Sequence, residues 1–307
     1  MEKLDLVALR IISEEGVEYV SQAHGRITGY NLEDCPADTM SMIHPEDRER
    51  VAALARQREI GEIGPSDHMQ LRMFRKDGSI VHVLLSVVPL EYKGNRAHVS
   101  AMVDVTKRMR TYEQLHTTLE GTIQAMARVV ETRDPYTAGH QRRAAALAYA
   151  IAEKMEVPEE TTAGIQMAGF IHDLGKLRVP ADILTNPGQL TEHEFAIIKT
   201  HPQVAYDILK DIDFPWPVAD IVLQHHERSD GSGYPQGLAG SDILVEAQIL
   251  GVADVVEAMS SHRPYRPALG IETALEEISG GKGTRYAPTP AEACLGLFED
   301  GTFSFEA

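Results

Sequence analysis

The stretch MAGFIHDLGK, residues 167–176, places a His-Asp pair directly behind a run of apolar residues. A second polar pair, His225-His226, opens the segment HHERSDGSGYP (225–235) behind the apolar run PVADIVLQ. Both runs have the composition of buried helices, where a polar group without a partner is costly. The sequence therefore predicts two helices whose terminal polar side chains bind a shared ligand.

Three further residues extend this pattern along the chain. His140 and His201 lie on separate predicted helices, and Asp254 lies on an apolar one. Imidazoles bind Fe, Mn, Zn, Ni and Co, and a carboxylate can bridge two ions. Adjacent histidines point about 100° apart on a regular helix, so His225 and His226 can share an ion only at a distorted helix end. The pattern predicts a metal site, although His140 and His201 taken alone have a structural role as an equal alternative.

The other histidines have no acidic or histidine neighbours at ligand spacing. We expect each to be an ordinary surface or hydrogen-bonded residue, and the set comprises His24, His44, His68, His82, His98 and His116.

Bulk composition narrows the class of protein. The 307 residues suggest about two domains, and 43% hydrophobic and 24% charged residues are typical of globular chains. A net charge of −17 argues against nucleic acid or an anionic membrane as a partner. The first residues make a poor signal peptide, no run of about 20 apolar residues occurs, and Cys35 and Cys294 are too few for a disulfide framework. We expect a cytoplasmic protein.

Residues 1–106 predict an α+β domain. Asp77-Gly78 and Gly94-Asn95 punctuate stretches of alternating β-branched residues, as in a series of antiparallel hairpins. Upstream, HPEDRERVAALARQ (44–57) begins as a helix N-terminus does. Small helices before an antiparallel sheet are typical of the α+β class.

Residues 107–131 predict a continuous helical linker, and residues 132–307 predict helices alone. Along the linker, apolar residues recur at spacings of three and four, namely Tyr112, Leu115, Leu119, Ile123, Met126 and Val130. Two interpretations stay open: a coiled coil with a second chain, which would make a homodimer, or packing of the stripe on its own domain.

The N-terminal region resembles a PAS sensor domain over residues 8–108. The resemblance is carried by ITGY (27–30), HPEDR (44–48), RKDGS (75–79) and DVTKR (104–108). It implies a ligand pocket, a dimer contact, or both. The helix that begins in HPEDR lacks the histidine of haem-binding members, and Cys35 precedes that helix, so the PAS ligand stays unknown.

The C-terminal region resembles the HD-GYP family of the HD superfamily over residues 120–290. The motifs are HDLGK (172–176), HHERSDGSGYP, VAD (252–254) and RPYR (263–266). The resemblance implies an all-α helical bundle that acts on cyclic dinucleotides. We thus expect a multidomain protein: a PAS-like sensor, a helical linker and an HD-GYP phosphodiesterase domain at 132–307.

The resemblance also implies two divalent ions, with iron as the first expectation and Mn, Ni, Zn or Co as alternatives. The implied ligands are His140, His172, Asp173 and Asp254 for one ion and His201, His225 and His226 for the other, with Asp173 bridging. A third ion would need a glutamate where this chain has Tyr136, so we expect a dinuclear site. Glu257 stands where the family usually has an aspartate and stays acidic.

Around the substrate, the resemblance implies Asp173 and Lys176 as catalytic residues. Lys176, four residues after His172, would lie one turn along the same helix. The implied substrate contacts are Lys176, Gly233, Tyr234, Arg263 and Arg266, the arginines being suited to forked contacts with phosphate.

The implied reaction is hydrolysis of cyclic di-GMP to pGpG, with GMP as a further product left open, under control of the PAS-like domain. Alternatives are cyclic GMP-AMP as the substrate, because nothing in the sequence reads the base, and a catalytically weak or silent dinucleotide receptor or scaffold. A hydrolase of a linear nucleotide is disfavoured by the HHExxDGxGYP loop. Signalling proteins as further partners stay open.

Overall fold

A computed structural model describes residues 6–59, 68–133, 139–186, 188–262 and 268–305. The chain divides into two compact units, Met1–Thr118 and Leu119–Ala307. Each unit has a hydrophobic core of its own. Among the described residues, no helix combines the length and the apolar character needed to cross a bilayer.

The first unit is a five-stranded antiparallel sheet with three helices in its described part, and the strand order is β2-β1-β5-β4-β3. The strands are β1 (Ala8–Ser13), β2 (Gly16–Val20), β3 (Met69–Phe74), β4 (Ile80–Tyr92) and β5 (Asn95–Asp104). The helices are α1 (Gln22–Thr28), α2 (Thr39–Met42) and α3 (Pro45–Glu59).

Both predicted hairpins are present. Strands β3 and β4 pair from Phe74 with Ile80, and β4 and β5 pair from Tyr92 with Asn95. Lys93 and Gly94 both have positive φ, 53° and 85°, which matches the twist of a two-residue hairpin turn. Strand β1 pairs with β5 from Ala8 with Met102 to Ser13 with Ala97, a long-range pairing that local turn signals do not encode.

An ion pair ties α3 to β3 in the first unit. The Asp47 carboxylate is buried and accepts bonds from the backbone N–H and the guanidinium of Arg72 at 2.9–3.1 Å. Hydrogen bonds from Arg72 outweigh the opposing effect of burial and hold the pKa of Asp47 well below its usual range. The pair therefore stabilises the unit only while Asp47 is ionised.

Replacing Asp47 with asparagine should lower the free energy of unfolding by about 1.5–3 kcal/mol, the range for hydrogen bonds to charged groups. Because the folded pKa is depressed, the wild-type advantage should be complete above about pH 4 and should shrink as the pH falls below it. Hydrogen exchange measured by mass spectrometry should show faster exchange in β3 and unchanged exchange in peptides of 140–186. Equal protection of β3 in both proteins at pH 7 would contradict this.

The second unit consists of helices and connecting loops in its described part, and helix α4 (Thr106–Arg133) includes residues of both units. The other helices are α5 (His140–Lys154), α6 (Glu159–Ile171), α7 (Ala181–Leu184), α8 (Glu192–Ile198), α9 (His201–Leu209), α10 (Val218–Gln224), α11 (Val245–Ser260), α12 (Ile271–Gly281) and α13 (Pro288–Glu299). Helices α5, α6, α10 and α11 pack around one core. This arrangement matches the predicted fold class.

Some apolar residues of the α4 stripe pack on the chain's own unit, and others are exposed, as a coiled coil with a second chain would require. Ile123 and Val130 are buried in the core of the helical unit. Leu115, Leu119 and Met126 are exposed, with 66%, 44% and 45% of their surface accessible. Ile123 and Val130 therefore pack on the chain's own unit, whereas Leu115, Leu119 and Met126 lie on the surface.

Candidate metal centre

The predicted metal-ligating residues meet at the ends of four helices and on the face of a fifth. Helices α5 and α9 begin at His140 and His201. Helix α6 ends one residue before His172, and α10 ends one residue before His225. Asp254 lies within α11. Each pair thus stands where its helix stops, and the predicted distorted helix end at His225-His226 is present.

The ligand atoms fall into three overlapping groups, within each of which all atoms lie within 4.8 Å of one another. The groups are His140, His172 and Asp254; His201, His225 and His226; and His172, Asp173 and His225. The second group holds the three histidines predicted for one ion, and the first holds three of the four residues predicted for the other. The fourth, Asp173, lies in the third group with His172 and His225. Ligation itself stays a prediction.

Two carboxylates lie between the histidine groups. Asp173 Oδ2 is 3.7 Å from the Nε2 atoms of His140 and His172, while its Oδ1 is 3.5 Å from His201 Nε2. Asp254 Oδ1 lies 3.2 Å from His140 Nε2. Its Oδ2 lies 3.8 Å from His226 Nδ1, in the other group. Asp254 therefore also lies between the two histidine groups, although the resemblance assigned it to one ion alone.

Backbone hydrogen bonds orient three of the imidazoles. In each, Nδ1 lies 2.6–2.8 Å from the carbonyl oxygen three residues earlier, in His172, His201 and His225. A carbonyl only accepts, so Nδ1 carries the proton and Nε2 presents a lone pair. These three Nε2 atoms are buried and have no hydrogen-bond partner among the described residues. Buried acceptors of this kind fit a divalent cation, which supplies the missing partner.

His140 is oriented by a carboxylate instead. Its Nδ1 contacts Glu257, a fully buried residue that also accepts bonds from Arg143 Nε and Ser261 Oγ, both at 2.7 Å. Burial raises the pKa of Glu257, but the hydrogen bonds and charges of His140, Ser261 and Arg143 together outweigh this effect, and the pKa falls to about 2. A carboxylate behind a ligating histidine fixes the ring and increases its basicity. The glutamate noted as a departure from the family pattern thus reaches a position that supports His140.

Burial and charge set the protonation states of the cluster. Desolvation lowers the pKa of His201 to about 4 and the pKa values of His225 and His226 well below the usual range. For Asp173, burial would raise the pKa, but the charges of Lys176 and the histidines hold it well below its usual range. Neutral imidazoles and an ionised carboxylate are the forms that bind divalent metals.

Lys176 contacts Asp173, but not by the predicted helical spacing. Helix α6 stops at Ile171, and residues 174–178 form a 3₁₀-helix. Lys176 Nζ donates to Asp173 Oδ2 at 2.7 Å, so its neighbour is the residue three positions earlier rather than His172. The expected continuation of the α-helix was wrong. At Gly175 a side chain would overlap the His201 carbonyl, so this turn packs directly on α9.

The loop after His226 covers one side of the cluster. The Tyr234 ring lies against the His226 ring, with centroids 4.7 Å apart. A side chain at Gly233 would overlap the backbone of Glu227, which explains the glycine. Asp230 accepts from the Ser232 N–H and shapes the turn.

Glu227 is the loop residue that sequence reasoning missed. Its buried carboxylate accepts the backbone N–H groups of Gln236, Gly237 and Leu238 at 2.7–3.2 Å. An acidic residue directly after a ligating pair was the available signal. Of the other predicted residues, Arg263, Arg266 and Tyr136 lie outside the described part of the chain.

Comparison with known families decides the classification. The sequence model of the HD domain family matches residues 124–289, more than half of the chain. The chain belongs to the HD domain family. Membership implies divalent metal binding, and a second family model, the PAS fold, matches residues 17–103. A PAS domain thus precedes the HD domain, as the sequence indicated.

Named relatives match a little more than half of the chain. The cyclic di-GMP phosphodiesterase response regulator RpfG of Xanthomonas campestris is 40% identical over 57% of this chain and 47% of its own length. A cyclic di-GMP phosphodiesterase of Thermotoga maritima is 42% identical over 54% and 46%. The 3'3'-cGAMP-specific phosphodiesterase 3 of Vibrio cholerae is 36% identical over 51% and 34%. The chain spans about half or less of the length of these relatives.

Proposed function

We propose that this protein is a metal-dependent phosphodiesterase that hydrolyses cyclic di-GMP to the linear dinucleotide pGpG. The observation that carries the proposal is the placement of Asp173 between two groups of buried imidazoles. The relatives named as cyclic di-GMP phosphodiesterases support the substrate. We further propose two ions, with iron as the first candidate, because a dinuclear site would use both groups.

Two divalent ions in such a cluster would supply Lewis-acid activation of water and of the phosphodiester. The roles of the protein's own residues follow from their positions. Asp173 joins the two ligand groups, and Glu257 holds His140 in place. Lys176 places a positive charge beside Asp173, where it can neutralise phosphate charge or pass a proton. Tyr234, on the His226 ring, is the residue we propose to contact the substrate.

The deciding experiment is metal removal and return. Protein loaded anaerobically with Fe(II) or Mn(II) should convert cyclic di-GMP to pGpG. Chromatography of the reaction mixture measures this conversion. Chelator-treated protein should lose this turnover, and the metal alone should restore it. If protein of confirmed metal content leaves the substrate intact after prolonged incubation, we would conclude that it is a dinucleotide receptor instead of an enzyme.

A second candidate substrate is cyclic GMP-AMP. The Vibrio cholerae relative named for this dinucleotide is 36% identical over 51% of this chain, so sequence similarity alone does not separate the two substrates. Parallel assays of both dinucleotides decide between them.

The unpaired Cys35 and Cys294 fit a reducing compartment and support a cytoplasmic location, which we also propose.

We also propose that the exposed part of α4 pairs with the same helix of a second chain and transmits the state of the PAS domain. The support is the spacing of Leu115, Leu119 and Met126 and their exposure. Leu119→Glu should shift the protein from dimer to monomer in sedimentation velocity, because it places a charge in the seam. Thr117→Glu, an exposed change off the seam, should leave the dimer intact. A monomeric wild type would sink this proposal.

A further inference from the structure

Lys199 is the lysine of the helical unit whose ammonium contacts aromatic rings instead of a carboxylate. The unit has five lysines, and the other four donate to carboxylates at 2.6–3.2 Å, namely Lys154, Lys176, Lys210 and Lys282. Among the described residues, no carboxylate forms an ion pair with Lys199. Carboxylates are plentiful in a chain with a net charge of −17, so an ammonium that none of them pairs is available to an acceptor from outside.

Two aromatic rings hold this ammonium beside the metal centre. Lys199 Nζ lies 4.8 Å from the centre of the Phe195 ring and 5.4 Å from the centre of the Tyr234 ring. Phe195 lies one turn earlier on α8, which Lys199 caps, whereas Tyr234 comes from the loop after His226. The Tyr234 ring is in turn 4.7 Å from the His226 ring. Two ring contacts therefore separate the ammonium from a predicted metal ligand.

The Phe195 ring is exposed, with 45% of its surface accessible. Single exposed apolar residues are common in proteins, but this one contacts an unpaired cation at the edge of the metal centre. An exposed ring offers a face on which a nucleic-acid base can stack. An ammonium has three donors and no acceptor. The pair therefore fits a flat ligand that has acceptors along one edge.

Guanine combines these two properties. Its O6 and N7 are neighbouring acceptors on one edge, whereas adenine has an amino donor in place of O6. We propose that Phe195 and Lys199 form a base subsite, in which the ring stacks on a guanine of the substrate and the ammonium donates to O6 and N7. A cation–π contact at an exposed site is weak and the lysine stem is flexible, so the ammonium can leave the ring face for the edge of the base.

The subsite rests on the cyclic dinucleotide substrate proposed above and gives that substrate its guanine preference. Only one ribose joins a base to its phosphate, so a phosphodiester at the metal centre brings its base to the surrounding side chains. A phosphate alone would satisfy the ammonium of Lys199 but would leave the exposed Phe195 ring without a partner. The ring and the cation together therefore favour a base.

The test compares the full-length wild type with Lys199→Met, Lys199→Arg, Phe195→Ala and the control Lys210→Met. The probes are cyclic di-GMP, cyclic di-IMP, whose base retains O6 and N7, and cyclic di-AMP, whose base lacks O6. Pairs of probes compete in one reaction of Mn(II)-loaded protein, which gives the ratio of their kcat/KM values. Calorimetry on chelator-treated protein gives the affinities, because protein without metal should leave the probes intact.

Lys199→Met should lower kcat/KM and affinity by at least about ten-fold for cyclic di-GMP and cyclic di-IMP, and by less than about three-fold for cyclic di-AMP. Lys199→Arg should retain the preference, because its forked donors match O6 and N7. Phe195→Ala should weaken all three probes by at least about five-fold, since every base has a face that stacks. Lys210→Met should behave as the wild type, because Lys210 is exposed and pairs with Asp207.

A change of preference is a readout that a merely structural role of Lys199 would not move. The subsite is overturned if Lys199→Met weakens all three probes equally, which would indicate a phosphate contact, or if it weakens none of them. Unchanged constants in Phe195→Ala would overturn it as well. If the wild type binds cyclic di-GMP without cleaving it, the phosphodiesterase proposal fails, and the calorimetric ratios decide the subsite. If the wild type neither binds nor cleaves any probe, both proposals fail.

Discussion

Replacing Asp173 with asparagine should reduce turnover of cyclic di-GMP by at least about 10³-fold, which corresponds to about 4 kcal/mol of activation free energy. Asparagine keeps the size of the side chain but removes the charge that lies between the two histidine groups. A neutral amide cannot bridge two cations as a carboxylate does. The metal content measured by mass spectrometry should fall to at most one ion per chain.

Asp182→Asn is the matched control. Asp182 is exposed and lies nine positions further along the chain, so the same chemical change there should leave both rate and metal content unchanged. Circular dichroism should show the same helical content in all three proteins. An Asp173→Asn variant that keeps two ions and more than a tenth of the rate would show that Asp173 is not the bridging ligand.

Local sequence patterns were enough to place the helices that carry this site, although α6 was expected to continue to Lys176. The apolar runs before His172-Asp173 and His225-His226 are helices α6 and α10, and each ends where its polar pair begins. The α+β sensor and its two hairpins also followed from local signals. The sequence could not specify the distances between side chains on different helices. The carboxylate of Asp254, on α11, lies within 4 Å of one histidine from each group, His140 and His226.

Supporting residues were the harder part, since their partners lie far away in the chain. Glu257 contacts His140 across 117 positions. Glu227 clamps the loop through backbone N–H groups, and no residue type in 236–238 signals that contact. In the sensor, Arg10 looks like an ordinary alternating strand residue, and only the fold reveals that it points into the core. These misses share one cause: tertiary packing rather than local pattern determines the environment of each side chain.

Lys176→Met should separate charge stabilisation from metal binding. The Lys176 ammonium lies 2.7 Å from Asp173 Oδ2, and methionine retains most of the length and apolar contact of the lysine side chain. Loss of one preorganised electrostatic contact should lower kcat by about 10²–10³-fold. Both ions should remain bound, because no predicted ligand is removed.

The metal content distinguishes this variant from Asp173→Asn, because Asp173→Asn should lose metal and Lys176→Met should keep it. Lys210→Met serves as the control, because Lys210 is an exposed lysine paired with Asp207 on the surface and should be dispensable for turnover. If Lys176→Met lost both the ions and the rate, the lysine would act by holding Asp173 rather than on the substrate. Retention of the full rate would show that Lys176 has no part in the reaction, because a charge this close to the Asp173 carboxylate must change the barrier if it faces the phosphate.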